Sequence, residues 1–151
     1  MRALQHIDHH TFMSAALQEA EQAGFAGDLP IGAVVICDGE IVGRGRNRIR
    51  SRSDKLRHAE VEALETSRHV RASRHKDCVL YTTTEPCVMC LGTIIMADVR
   101  HVFFGLPDPA RGGSDMMALV PYAADQIHTY EGGILARDSE QLWRRFEQRL
   151  P

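Results

Sequence analysis

The chain lacks the hydrophobic segments that mark membrane and secreted proteins. No apolar run approaches the roughly 18 residues of a transmembrane helix, and the N-terminus lacks the basic-then-apolar pattern of a secretory signal. Internal repeats and low-complexity segments are also missing, and the formal net charge is only −2. This acidic balance argues against a general nucleic-acid binder, so contact with nucleic acid would need a local patch of positive charge.

What remains is the composition of an ordinary globular protein. The 151 residues are 44% hydrophobic and 25% charged, which is enough chain to bury one core without a second domain. We therefore expect a single domain over residues 1–151. Cysteine is scarce, with four in the chain, and two of these belong to a metal motif. We expect reduced thiols rather than a disulfide scaffold, and hence a cytoplasmic protein.

Two short motifs contain the residue types of a catalytic zinc site. Residues 86–90 read Pro-Cys-Val-Met-Cys, and this spacing at the start of a predicted helix lets both sulfurs reach one ion. Residues 58–60 read His-Ala-Glu and are expected in the first turn of another helix. Glu60 is then free to transfer protons. Three ligands would hold one zinc ion and leave a fourth position for water: His58, Cys87 and Cys90.

A closed structural zinc site is the alternative interpretation of these cysteines. Cys37 or Cys78 could supply a fourth protein ligand. Both lie in apolar, strand-like runs, where a free cysteine usually behaves as a small buried hydrophobic residue. A closed site would also leave Glu60 without a role. The corresponding function would be a non-catalytic, zinc-stabilised RNA-binding module.

The motifs together resemble the signature of the zinc nucleobase deaminases, His-x-Glu followed by Pro-Cys-x-x-Cys. The similarity extends over roughly residues 8–148. The chain is similar to the cytidine-deaminase-like superfamily, in the branch of bacterial tRNA adenosine deaminases, guanine deaminases and yeast-type cytosine deaminases. The resemblance implies a hydrolytic deaminase with one zinc ion per chain that acts on a nucleobase-containing substrate, and it implies a homodimer.

The resemblance also implies roles for single residues. Glu60 would move protons while activated water replaces the exocyclic amine of a base. Asn47 lies eleven residues before His58, where the family places an asparagine that hydrogen-bonds the ribose or the base. Asp108 would either contact the substrate or cap a turn. Pro107 stands where tRNA adenosine deaminases usually have arginine, so a tRNA anticodon loop and a free base or nucleoside both stay open as substrates.

The apolar pattern and the resemblance together predict an α/β fold, a three-layer α/β/α sandwich with a mixed five-stranded sheet. We expect helices over 8–23, 58–69, 86–97, 115–120 and 138–150, and strands over 31–37, 40–45, 77–83, 100–105 and 126–130. Pro86 should occupy the first position of its helix. On the last helix, one stripe at helical spacing is expected in core or dimer packing rather than base stacking: Leu142, Trp143, Phe146 and Leu150.

A row of arginines precedes the zinc motif. They occur at every second position from Arg44 to Arg52, and Lys55 and Arg57 continue the basic run. In an extended conformation these side chains would lie on one face. Such a face could bind the phosphates of an anticodon loop, or the run could be a solvated loop.

Overall fold

A computed structural model describes residues 7–74 and 78–151. Within these residues no helix is both long and apolar enough to cross a membrane. The elements, in chain order, are helix α1 (His9–Phe25), strands β1 (Gly32–Cys37) and β2 (Glu40–Arg46), helices α2 (Ala59–Thr66) and α3 (Arg68–Arg74), strand β3 (Cys78–Thr84), helix α4 (Val88–Met96), strand β4 (His101–Leu106), helices α5 (Ser114–Leu119) and α6 (Pro121–Gln126), strand β5 (Thr129–Glu131) and helix α7 (Ala136–Glu147).

The strands form one mixed sheet of five strands in the order β2-β1-β3-β4-β5. Strand β1 is antiparallel to both of its neighbours, whereas β3, β4 and β5 run parallel. Every residue of β3 is buried, as expected for a central strand that is covered on both faces. The predicted α/β fold with a mixed five-stranded sheet is confirmed.

Alternate residues of the strands face two separate hydrophobic layers. On one face, Val35 and Leu80 belong to the cluster that includes helices α2 and α4. On the other face, Val34 and Tyr81 pack with helix α1. Side chains alternate between the faces of a strand with a period of two, so the helices lie on both sides of the sheet and complete the α/β/α sandwich.

One glycine allows α2 to lie directly on β2. A Cβ atom at Gly45 would lie 2.1 Å from the carbonyl oxygen of Ala59 and 2.3 Å from the amide nitrogen of Ala63. Both contacts are with helix backbone, which cannot move aside as a flexible side chain would. This close approach fixes the start of α2 at the edge of the sheet where β2, β3 and β4 end.

Several boundaries differ from the sequence-based expectations. Helix α2 ends at Thr66 and a separate helix α3 follows, where one helix was expected. Pro86 lies outside α4, because the N-cap of that helix is Cys87. Helix α6 was not predicted, and β5 begins at Thr129 rather than at residue 126. The expected start of the third strand, residue 77, lies outside the described residues.

Cys37 and Cys78 form a disulfide, so the expectation that both are free thiols is wrong. The two residues are register partners on the antiparallel strands β1 and β3. Strand pairing therefore brings together two cysteines that are 41 residues apart in sequence. The free cysteines are Cys87 and Cys90, and the disulfide removes the other two as candidates for a fourth zinc ligand.

Candidate active site

The three predicted zinc ligands converge at the edge of the sheet. The Nδ1 atom of His58 lies 3.7 Å from the sulfur of Cys87 and 3.4 Å from that of Cys90. Tetrahedral zinc, with Zn–S bonds of about 2.3 Å and Zn–N bonds of about 2.0–2.1 Å, places nitrogen and sulfur about 3.5 Å apart. The three ligand atoms all lie within 4.8 Å of one another, so this donor set fits a zinc ion.

Two helix N-caps produce this convergence. His58 and Cys87 are the N-caps of α2 and α4, and both have extended backbone conformations. Residues i and i+2 of a regular helix do not face each other, which would separate His58 from Glu60. Because His58 lies outside the helical conformation, its ring and the Glu60 carboxylate can serve one site. The predicted placement of residues 58–60 at a helix start is confirmed.

The carboxylate of Glu60 is buried beside the ligands, with 3% exposure. Its Oε1 accepts a hydrogen bond of 2.9 Å from the Thr82 hydroxyl, and its Oε2 accepts one of 3.3 Å from the Cys90 thiol. Burial raises the pKa of Glu60 above its usual range. A carboxylate with a raised pKa both accepts and returns a proton readily, which suits a general acid–base.

The two thiols differ in pKa. A hydrogen bond from Cys90, followed by one from His58, lowers the pKa of Cys87 to about 4. The hydrogen bond to Cys87, together with burial, raises the pKa of Cys90. The lowered pKa of Cys87 favours its thiolate, which is the form that binds a metal.

A cavity of about 870 Å³ opens above these residues. His58, Glu60 and Cys87 contribute to its lining, and its size lies within the range of small-molecule sites. Trp143 also lines the cavity and donates its indole N–H to the Thr84 hydroxyl over 3.3 Å. Leu142 and Phe146 are buried as expected, whereas Trp143 is only partly buried and Leu150 is 45% exposed, so these two do not belong to the core of the chain. Their packing in a dimer stays a prediction.

Both predicted substrate contacts reach the cavity lining. Asn47 is 1% exposed, and its side-chain oxygen accepts a hydrogen bond from the amide of Ile49. Asp108 accepts hydrogen bonds from the amides of Ala110 and Arg111 and also pairs with the Arg111 guanidinium. The carboxylate of Asp108 thus caps its own turn, which is one of the two roles expected for it.

The arginine row does not form a single extended face. Strand β2 ends at Arg46, and turns and loop follow it up to the start of α2. The extended conformation, in which the whole row would share one face, therefore applies only up to Arg46. Many of its charges are also neutralised within the chain: Arg44 and Arg46 contact Glu19, Arg48 contacts Glu62, and Arg57 contacts Asp54 and Glu65.

Two residues beside the site were not singled out from the sequence. Thr82 orients Glu60 from the central strand, and Glu85 lies in the cavity wall. A signal was available for both. Thr82 is a polar residue in a fully buried strand, and Glu85 stands directly before the Pro-Cys pair. Buried polar side chains need hydrogen-bond partners, and here those partners are residues of the site.

Comparisons with known proteins agree with this geometry. The family model described as the cytidine and deoxycytidylate deaminase zinc-binding region matches residues 6–106. A tRNA-specific adenosine deaminase of Streptococcus pyogenes serotype M18 (strain MGAS8232) is 37% identical over 138 residues, which cover 89% of this chain and 87% of that protein.

Solved structures show the same fold. A tRNA:A34 deaminase, studied for A-to-I editing at the wobble position of transfer RNA, superposes with a TM-score of 0.78 at 32% identity, covering 87% of this chain and 98% of that chain. A guanine deaminase from Nitrosomonas europaea superposes with a TM-score of 0.80 at 22% identity, covering 95% and 86%, and this likeness shows the fold alone. The chain therefore belongs to the cytidine and deoxycytidylate deaminase family, as a zinc-binding hydrolytic deaminase that is similar to tRNA adenosine deaminases.

Proposed function

We propose that this enzyme converts adenosine to inosine in the anticodon loop of a transfer RNA. The observation that carries the proposal is the buried Glu60 beside three zinc ligands in a cavity of about 870 Å³. Enzymes that act on a base inside a larger nucleic acid take the base out of its stack into such a pocket. Single-stranded loops offer unstacked bases at low cost. The similarity to tRNA adenosine deaminases supports this choice of substrate.

We assign the chemical roles as follows. Zinc held by His58, Cys87 and Cys90 would lower the pKa of water and so supply the nucleophile at neutral pH. Glu60 would take one proton from the attacking water and pass it to the ring nitrogen, and would then move the proton left on the added hydroxyl group to the amine, which leaves as ammonia. The hydroxyl of Thr82 keeps the carboxylate in place. Asn47 hydrogen-bonds the ribose or the base from the cavity wall.

We further propose that residues 1–151 act as one domain and that two copies form a homodimer. Helix α4 exposes Val88 by 56% and Met96 by 76%, and α5 and α6 expose Leu119 by 79% and Tyr122 by 58%. Where such side chains form one contiguous patch, they are typical of a surface that a partner covers. We place the enzyme in the cytoplasm, where the free thiols of Cys87 and Cys90 stay reduced for zinc, and the Cys37–Cys78 disulfide is then an exception to the usual cytoplasmic pattern.

A free-base or nucleoside deaminase is the second candidate. The ion pairs of the arginine run favour it, because arginines bound to Glu19, Glu62, Glu65 and Asp54 are less available to phosphates. Pro107 and the net charge of −2 favour it as well. The non-catalytic module has less support, since Cys37 and Cys78 are joined to each other and cannot close the zinc site.

Ammonia release from a substrate panel distinguishes these candidates. The zinc-loaded protein would be incubated with guanine, adenine, cytosine, isocytosine, their nucleosides and an anticodon stem-loop that carries adenosine 34. We expect release from the stem-loop alone. Because phosphate contacts release counterions, its KM should rise about tenfold or more between roughly 50 and 200 mM salt if about three phosphates are bound.

The matched control is the same stem-loop with guanosine at position 34, which should release no ammonia. Release from a free base, with a KM that does not depend on salt, would contradict the tRNA proposal and support the second candidate. A zinc-loaded protein that releases no ammonia from any member of the panel would contradict both and favour the non-catalytic module.

A further inference from the structure

Glu85 is a buried carboxylate to which the chemistry above gives no role. It lies between the end of β3 and the ligand Cys87, lines the cavity and is 5% exposed. No lysine or arginine among residues 7–73 and 78–151 forms an ion pair with it. A buried charge is costly unless hydrogen bonds replace its lost hydration. The partners of Glu85 therefore indicate what it does.

Four donors surround this carboxylate. Its Oε1 accepts hydrogen bonds from the Ser114 amide at 3.1 Å, from the Ser114 hydroxyl, and from the Tyr130 hydroxyl at 3.2 Å. Its Oε2 accepts one from the Asp108 amide at 2.9 Å. Both oxygens are thus occupied by donors from distant parts of the chain. The donors lie 23 to 45 residues from Glu85 in sequence.

These donors hold a loop that forms one wall of the cavity. Asp108 lies near the start of the loop over residues 107–113, and Ser114 follows it as the first residue of α5. We call this segment the wall loop, because many of its residues line the cavity. Glu85 binds both of its ends, and its own amide donates to Leu106, the last residue of β4, at 2.8 Å.

The wall loop also contacts the zinc ligand Cys87 and the residue before it. Gly112 forms a bridge with Cys87, and the Gly113 amide donates to the carbonyl of Pro86 over 2.8 Å. A Cβ atom at Gly112 would lie 2.4 Å from both the Cδ and the Oε2 atoms of Glu85. Glycine at this position lets the loop close around the carboxylate. Glu85 therefore holds in place the loop that forms this wall of the cavity.

We propose that Glu85 is a positioning residue that fixes the wall loop against Cys87 and so sets the shape of the substrate cavity. The role rests on the proposed deaminase function of the site. A carboxylate fits this position, because each of its two oxygens faces a backbone amide, which can only donate. Glutamine has nearly the same size, but its NH2 group would replace one carboxylate oxygen. That group donates hydrogen bonds, so the donors that face it would lose their acceptor. An unsatisfied buried donor then weakens the closed position of the loop.

The first test is the kinetics of Glu85→Gln. Zinc should stay at one ion per chain, and KM for the adenosine-34 stem-loop should rise by about tenfold, as expected for the loss of one hydrogen bond to a charged group. The value of kcat should fall less than KM rises, because Glu60 and the zinc ligands remain in place. A loss of folded protein alone would instead lower kcat and leave KM unchanged.

The matched control is Glu21→Gln. Glu21 pairs with Arg145 of α7, its side chain is 42% exposed, and neither residue lines the cavity or belongs to the arginine row. Its substitution should leave KM within about twofold of the native value, since an exposed ion pair contributes little. A second variant, Tyr130→Phe, removes one donor and keeps the ring that packs on Phe104, and it should raise KM about two- to threefold.

A second readout is independent of activity. Amide hydrogen exchange at Asp108 and Ser114 should be about tenfold faster in Glu85→Gln, because one of these two amides loses its acceptor and the loop between them then opens more often. Exchange in helix α1 should be unchanged. Unchanged exchange at both amides, or an unchanged KM with zinc bound, would overturn the proposal. If the native protein deaminates no substrate of the panel, the proposed function fails, while the exchange rates still decide whether Glu85 holds the loop.

Discussion

Replacing Glu60 with glutamine is expected to lower kcat by about 10²- to 10⁴-fold, the range that general acid–base catalysis contributes. Glutamine keeps the size of the side chain and can still accept the hydrogen bond from Thr82. It cannot take up and return a proton at neutral pH. The three zinc ligands are unchanged, so zinc should stay at one ion per chain. Turnover of the stem-loop and zinc content would be measured on the same preparation.

The matched control is Glu65→Gln on the same helix. Glu65 is 56% exposed in its side chain and pairs with Arg57, away from the lining of the cavity, so turnover should stay near the native value. The assignment of Glu60 would be contradicted if its glutamine variant kept more than about a tenth of the native kcat. General acid–base catalysis contributes at least about 10²-fold, so its loss should leave a much lower rate.

Replacing Cys87 with serine is expected to remove both zinc binding and deamination. A serine hydroxyl does not ionise at neutral pH as the Cys87 thiol does. For the native protein, zinc at about 1,000 times its Kd adds about 4 kcal/mol to the free energy of unfolding. At about 2–4 °C per kcal/mol for a chain of this size, Tm should rise by about 10 °C on zinc addition. Thermal unfolding with and without zinc measures this shift, which Cys87→Ser should lose.

Met89→Leu is the control for this second prediction. Met89 lies between the two cysteines on the same turn but contributes no ligand atom to the cluster. A swap of similar volume costs little, so the zinc-dependent rise in Tm should persist. If Cys87→Ser kept the full rise in Tm and bound one zinc ion, the metal would have to be held by other residues.

The zinc site could be predicted from the sequence because its geometry is largely local. Cys87 and Cys90 lie within one turn at a helix start, and His58 and Glu60 lie within another. Each pair lies at a helix N-terminus, and this position alone directs its side chains into the cavity. The strand pattern predicted the sheet for a similar reason, since β3 begins with a run of largely apolar residues, 78–81, and a central strand is covered on both faces.

Features that depend on partners distant in sequence were not predictable. The arginine row has a clear local period, but Glu19 on α1 and Glu62 on α2 form ion pairs with it and neutralise part of its charge. Likewise, the helical period of α7 places Trp143 on the same stripe as its buried neighbours. The position of that helix at the sheet edge instead turns Trp143 towards Thr84 and the cavity. The disulfide needed the register of β1 and β3, which no local pattern reveals.

The most direct test of hydrolytic deamination is the reaction of the adenosine-34 stem-loop in water enriched in ¹⁸O. Hydrolysis replaces the exocyclic amine with an oxygen atom from water. We predict inosine with one ¹⁸O atom at position 34, together with an equal amount of ammonia, and mass spectrometry of the digested stem-loop reads the label. Adenosine that stays unchanged with zinc bound and Glu60 intact would contradict the account, and so would inosine that carries no ¹⁸O.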